Sequence, residues 1–177
     1  MDSGRSGALL STGLFDIFLP MKKLIIFIAT GFGTGLSPFA SGTTGTLPGV
    51  ILVILFFLTG ISTLWQTGIA AFLSVLSIPI CDVAEKHFGK KDDGRIVADE
   101  YMTFPLCVLG LPLAEHWWLL GMAFVVCRIM DIVKLPPARQ FQEIKGGLGI
   151  ALDDIVASLY ALGINHLIWY FLKPSFV

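Results

Sequence analysis

Long apolar runs alternate with short charged ones along the chain. From Leu24 to Cys81 there are 58 consecutive residues without Asp, Glu, Lys, Arg or His, whereas a bilayer-spanning helix needs about 20. Thr46–Leu64 lies within that run and Thr67–Ala84 extends just past it to include Asp82; each is just long enough to span. The short connection at Trp65 and Gln66 predicts an antiparallel pair with Trp65 at the interface. A further apolar helix is predicted over Ile155–Leu172, broken only by Asn165 and His166 and ending in the aromatic belt Trp169, Tyr170 and Phe171. Tyr101–Cys127 reads differently, because Pro105, Gly110, Pro112 and Glu115 make it a poor single span.

Two polar stretches, 85–100 and 128–149, separate these runs and hold most of the charge. Lys86, Lys90, Lys91 and Arg95 lie in the first, and Arg128, Lys134, Arg139 and Lys145 in the second. By the positive-inside rule both belong on the cytoplasmic side with Lys22 and Lys23. Residues 101–127 must then enter and return, turning at Gly110–Pro112; a single kinked crossing is the competing topology. The expected fold is all-α: a small polytopic membrane helical bundle with a re-entrant Gly-rich N-terminal segment and charged loops on the cytoplasmic face.

The composition agrees, with 55% hydrophobic and 14% charged residues, against about 25% charged in soluble domains. Net charge is −1 without a basic stripe, so the footprint of a nucleic-acid binder is missing. Cys81, Cys107 and Cys127 are far apart in apolar runs and read as small core residues. Residues 1–20 have one Arg, an apolar stretch interrupted by Asp16 and no A-x-A cleavage pattern. We expect them to be a dispensable extension rather than a signal peptide, with 21–177 as one domain.

In a chain this poor in charge, the acidic residues cluster. Asp92, Asp93, Asp99 and Glu100 lie in the first polar stretch, Asp131 sits between Arg128 and Lys134, and Asp153 and Asp154 open the last apolar run. Ionisable groups at membrane depth are costly and usually face a functional cavity. Asp99 has a local alternative as the i,i+4 partner of Arg95, and Asp153 as a helix cap. Arg128, Asp131 and Lys134 recur every three residues, so they share a helical face, either as an ion-pair ladder or as a phosphate clamp with a metal ligand. The Leu135-Pro136-Pro137 sequence ends that helix at Leu135 or before. Three separated acidic elements accompanied by Arg128 and Lys145 suit a carboxylate-held Mg2+ acting on a phosphate ester. His87, His116 and His166 lack metal-ligand spacing, and no nucleophile-elbow or P-loop pattern occurs.

Three motifs in order, GFGTGLSPFASGTTGTLPG (31–49), DDGRIVADE (92–100) and RIMDIVKLPPARQFQEIKGGLGIALDDIVA (128–157), closely resemble the phosphatidylglycerophosphatase A family. The resemblance covers about residues 24–165. It implies a Mg2+-dependent phosphatase in the bacterial cytoplasmic (inner) membrane, active site facing the cytoplasm, that hydrolyses phosphatidylglycerophosphate to phosphatidylglycerol and inorganic phosphate. Carried over by position, the family's acidic motif falls on Asp93, Asp99 and Glu100, its basic-acidic-basic motif on Arg128, Asp131 and Lys134, and its glycine-acidic motif on Lys145, Gly146, Gly147, Gly149, Asp153 and Asp154. On that basis Asp99, Glu100, Asp153 and Asp154 are expected to bind metal. Asp131 and Asp93 are expected to be catalytic, and Arg128, Lys134 and Lys145 to hold phosphate.

Two other readings compete. A CDP-alcohol phosphotransferase would carry Asp-Gly-x-x-Ala-Arg, which DGRIVADE does not supply. An ion-coupled transporter would use carboxylates at broken helices, but no inverted repeat is visible and the acidic groups sit beside loops. The Gly-rich stretch at 31–49, taken alone, is a flexible linker or an anion-binding nest. Its position at the start of the first span favours a re-entrant wall, with Thr43 and Thr46 directed at phosphate.

Overall fold

The computed structural model describes residues 20–173; the expected extension over 1–20 therefore lies outside the described residues, apart from Pro20. Helix α1 covers residues 20–29, α2 Ser41–Gly45, α3 Leu47–Thr59, α4 Thr63–Phe88, α5 Ala98–Thr103, α6 Trp118–Val133, α7 Ala138–Phe141 and α8 Gly147–Leu172. Two 3-10 turns, Thr34–Leu36 and Phe104–Val108, complete the architecture, and the described residues contain no strand. Ser41–Thr59, Thr63–Phe88 and Gly147–Leu172 are long and apolar enough to cross a membrane. Their outward faces carry exposed apolar side chains, among them Leu58, Phe72, Val75 and Leu167.

The helix ends follow from local chemistry. Helix α3 stops at Gly60 and α4 at Gly89, each in the left-handed conformation that glycine adopts without a Cβ clash. Helix α6 stops at Val133 with Lys134 as its cap, just before the two prolines, as the sequence requires.

The segment 98–127 goes out and comes back. From Asp99, beside the acidic end of α8, the chain runs through α5 and its 3-10 extension to Cys107 and Leu109. There Asn165 Nδ2 donates to the Cys107 carbonyl (2.9 Å), and a ring nitrogen of His166 meets the Leu109 carbonyl (2.8 Å). After the reversal, His116 lies against Trp169, with ring centroids 4.7 Å apart, and α6 returns to bring Asp131 back to the acidic end. Trp65, Trp117 and Tyr170 therefore lie towards one end of the bundle and the buried carboxylates Asp99, Asp153 and Asp154 towards the other.

Two apolar clusters hold the bundle. One joins α1, α4, Ile96–Met102 and Ile150; the other joins α3, Phe104–Leu113, α6 and Ala161. Along α8 the first cluster claims Ile150 and the second Ala161. Buried Asp153, Asp154 and Ser158 fall between them. The polar site is a layer sandwiched by two cores.

Candidate active site

Close backbone approach sets the position of α8. A Cβ on Gly147 would collide with the Ile78 carbonyl and with Asp82, so glycine lets the start of α8 lie directly on α4. Two turns later, Asp153 and Asp154 are 3% and 5% exposed. Adjacent helical residues diverge by about 100°, and these two face different partners. Asp153 Oδ2 meets Lys134 Nζ at 2.5 Å, while Asp154 lines a small cleft with Thr46, Glu100, Thr103, Arg128, Asp131 and Ser158.

The expected ladder on α6 is present and longer than its own helix. Arg128 Nη1 lies 3.1 Å from Glu100 Oε2 and 2.8 Å from Asp131 Oδ2; Lys134 Nζ lies 3.6 Å from Asp131 Oδ1 and reaches on to Asp153. A chain Glu100, Arg128, Asp131, Lys134, Asp153 thus ties α5, α6 and α8 together. Thr46 joins at the first link: its hydroxyl donates to the Gly42 carbonyl (2.8 Å), reaches Glu100 Oε2 (3.3 Å) and accepts from Arg128 Nη1 (3.4 Å). Removing one member of such a buried network costs about 3–5 kcal/mol, because its partner's charge is left uncompensated.

Negative charge is in excess here. Burial, followed by the neighbouring charges of Glu100, Asp153, Asp92 and Asp131, pushes the Asp99 carboxyl well above the usual range. Burial also raises Glu100 to about 7, against the opposing pull of Arg128. Carboxylates that raise one another's proton affinity become ready ligands when a cation takes the proton's place.

Two buried atoms of the site have no hydrogen-bond partner among the described residues: the acceptor Asp99 Oδ1 and the donor Arg128 Nε. A buried polar group without a partner costs about 1–3 kcal/mol. An orphan acceptor and an orphan donor in one layer match a bound cation and a bound anion. No three His, Cys, Asp or Glu side chains converge to hold a metal ion among the described residues. The partnerless Asp99 Oδ1 is a hard oxygen donor of the type that a divalent cation such as Mg2+ takes, one or two at a time, alongside phosphate oxygens and water.

Not every expected residue joins this layer. Thr43 is exposed. Asp93 is engaged by Arg95, whose Nε and Nη2 donate at 2.8 and 3.0 Å, and the guanidinium stacks 4.0 Å above the Phe88 ring. Lys145 lies in a separate cleft with Lys86, Lys90 and Lys91. Conversely, Asp92 lines a pocket with Lys91, Gln142 and Asp153, while Thr103 and Ser158 line the acidic cleft. The Asp-Asp pair at 92–93 signalled an acidic element, but only the turn at Asp92 (φ 49°) decides which of the two faces Asp153. Thr103 and Ser158 had no signal beyond helical spacing from Asp99 and Asp154.

Fold and site together define the class: an all-helical protein with three helices long and apolar enough to cross a membrane and a buried cluster of carboxylates and cations near one end of them. The sequence model of the family described as Phosphatidylglycerophosphatase A matches residues 27–169, and the chain belongs to that family, a group of phosphoric monoester hydrolases. It is 36% identical to Phosphatidylglycerophosphatase A of Haemophilus influenzae over 86% of this chain and 96% of the relative. It is 34% identical to Phosphatidylglycerophosphatase A of Escherichia coli over 85% and 86%. A Bacteroides thetaiotaomicron protein with the provisional name phosphatidylinositol-3-phosphatase is 36% identical over 81% and 89%. No solved structure matches the chain.

Proposed function

We propose that the protein hydrolyses phosphatidylglycerophosphate to phosphatidylglycerol and inorganic phosphate, with Mg2+, at the cytoplasmic face of a bacterial inner membrane. The observation that carries this reading is the pair of orphan atoms, Asp99 Oδ1 and Arg128 Nε, in a layer that also holds Asp154 and Lys134. Family membership and the relatives' names support the substrate. Both names among those relatives describe a phosphate monoester on the headgroup of an anionic phospholipid, so the lipid is the point to test.

The residues divide the work. Arg128 Nε and Lys134 Nζ hold non-bridging phosphate oxygens and offset the charge that builds up in the transition state. Asp99 and Asp154, assisted by Asp153 and Glu100, would hold the metal, whose chemistry is to polarise the phosphoryl group and acidify a water. Asp131 fixes both cations and turns the attacking water with Oδ1, its less tightly paired oxygen. Water oxygen adds to phosphorus, the ester P–O bond breaks, and the glycerol oxygen leaves with a proton derived from that water. The apolar clusters on either side limit competing solvent, which strengthens each of these interactions.

Purified protein in neutral detergent should release phosphate from phosphatidylglycerophosphate only with Mg2+, and faster than from phosphatidylinositol 3-phosphate. Asp99→Asn and Asp154→Asn should each lower kcat/KM about 100-fold or more, the scale seen when one transition-state contact is removed. No release by the wild type, or full activity in both variants, would overturn the proposal. Faster turnover of the inositol lipid would overturn the substrate while leaving the phosphatase chemistry in place.

A further inference from the structure

Away from the acidic layer, four lysines meet beyond the charged end of α4. Lys86, Lys90 and Lys91 belong to the end of α4 and the turn after it, and Lys145 arrives from the segment before α8. With Glu85 and Gly89 they line an open cleft of about 320 Å³, within the range of small-molecule sites, about 300–1,000 Å³. It shares no lining residue with the acidic cleft. Asp82 Oδ1 takes the Gly147 N–H (3.4 Å) between the two, and Asp153 lies about 9 Å further along α8, at 1.5 Å per residue.

Local capping explains only part of this cluster. Cations at a helix C-terminus are favoured by the helix dipole, which accounts for Lys86 and its neighbours, but not for Lys145, which comes from a different segment. Nor do protein carboxylates neutralise it. Lys86 is paired with Asp82 at 2.6 Å, whereas Lys91 donates to a neutral group, the Glu143 carbonyl, at 3.3 Å. Among the described residues no carboxylate lies within 4.0 Å of Lys90 or Lys145. Lys90 also feels Asp93, a carboxylate already held by Arg95, so the carboxylate in the cleft lining itself is Glu85, whose Oε1 is buried and lacks a hydrogen-bond donor.

We infer that this cleft binds a phosphate ester bearing a neighbouring hydroxyl, the phosphate on Lys90, Lys91 and Lys145 and the hydroxyl donating to the Glu85 carboxylate. That is the chemistry of a polyol phospholipid headgroup, or of the same group free in solution. Basic pockets beside membrane helices draw anionic headgroups in this way. The lysines cluster around the charged end of α4, a helix long and apolar enough to cross a membrane. The site is a binding site apart from the acidic layer, and the ligand there is held rather than hydrolysed.

Full-length protein in dodecyl maltoside, titrated with phosphatidylglycerol, phosphatidic acid or phosphatidylcholine and examined by native mass spectrometry, tests this without any turnover. Wild type should retain phosphatidylglycerol roughly fivefold or more over phosphatidylcholine, and also over phosphatidic acid, which lacks the hydroxyl. Lys90→Gln/Lys145→Gln should abolish the first preference and Glu85→Leu the second. Lys90→Arg/Lys145→Arg should keep the first preference, separating lost charge from a lost fold. Lys22→Gln/Lys23→Gln should leave both preferences intact. Displacement of the lipid by free glycerol 3-phosphate would identify the soluble group as a sufficient ligand; undiminished retention would identify the membrane lipid as the source. Equal retention of all three lipids by the wild type would overturn the inference. So would unchanged preferences in Lys90→Gln/Lys145→Gln, loss in the arginine pair, or an equal loss in Lys22→Gln/Lys23→Gln.

Discussion

Thr46 and Thr43 are three residues apart in the same Gly-rich stretch, yet only Thr46 touches the charged layer. Its hydroxyl is shared by the Gly42 carbonyl, Glu100 and Arg128. Thr46→Val keeps the shape and removes all three contacts, so it should cost about 1–3 kcal/mol of site stability and lower phosphate release about tenfold; Thr43→Val should leave turnover unchanged. Asp93 supplies a second contrast. Arg95 holds its carboxyl below the ordinary value of 3.8, so below that value the folded protein binds fewer protons than the unfolded chain and stability falls with pH. The ion pair contributes fully above pH 3.8 and is lost as pH falls through the depressed native value. Thermal melting of Asp93→Asn in detergent should therefore show a deficit against wild type that is constant at neutral pH and closes below about pH 4. A deficit that persists unchanged into acid would show that the contact is not ionic. At both positions the sequence indicated a functional neighbourhood, but which of two nearby side chains faced inward depended on a turn that composition does not encode.

At the scale of elements, legibility tracked length. Helices α4 and α8 could be placed from their apolar runs, and the end of α6 from its two prolines, because those signals are local. Residues 101–127 left two paths open. The chain takes the returning one, fixed by the contacts of Asn165 and His166 with carbonyls at 107 and 109, which are long-range and invisible in the intervening residues. The short helix α2 was harder still. Helices of this length are unstable alone, and α2 exists because its glycines admit close neighbours: a Cβ on Gly45 would sit 2.5 Å from Val97, and one on Gly42 would meet the Arg128 guanidinium and lie 2.5 Å from Glu100 Oε1. Gly42→Ala should thus act through Arg128. We expect a loss of about 1–3 kcal/mol, the usual cost of overpacking, together with a rise in KM. A variant with unaltered KM would show that α2 does not shape the phosphate site.

Across the whole molecule, the basic and acidic runs gather towards one end of the long helices and Trp65, Trp117 and Tyr170 towards the other, and this was readable from the order of runs alone. If the charged end faces the cytoplasm, a membrane-impermeant maleimide should label Lys90→Cys only from that side, and Ser62→Cys, in the turn between α3 and α4, only from the other. The native cysteines are buried and should stay silent. Labelling of both variants from one side would refute the topology. The sandwiched layer was less readable, since neither apolar cluster is contiguous in sequence and the ion-pair chain draws on three helices. That chain also has a consequence for biosynthesis. An Asp in the middle of an inserting helix costs about 2.5–3.5 kcal/mol, and less towards its end. Because ribosomes deliver α6 before α8, Arg128 and Lys134 are made ahead of Asp153 and Asp154, so the cations that offset those carboxylates are already present when α8 emerges.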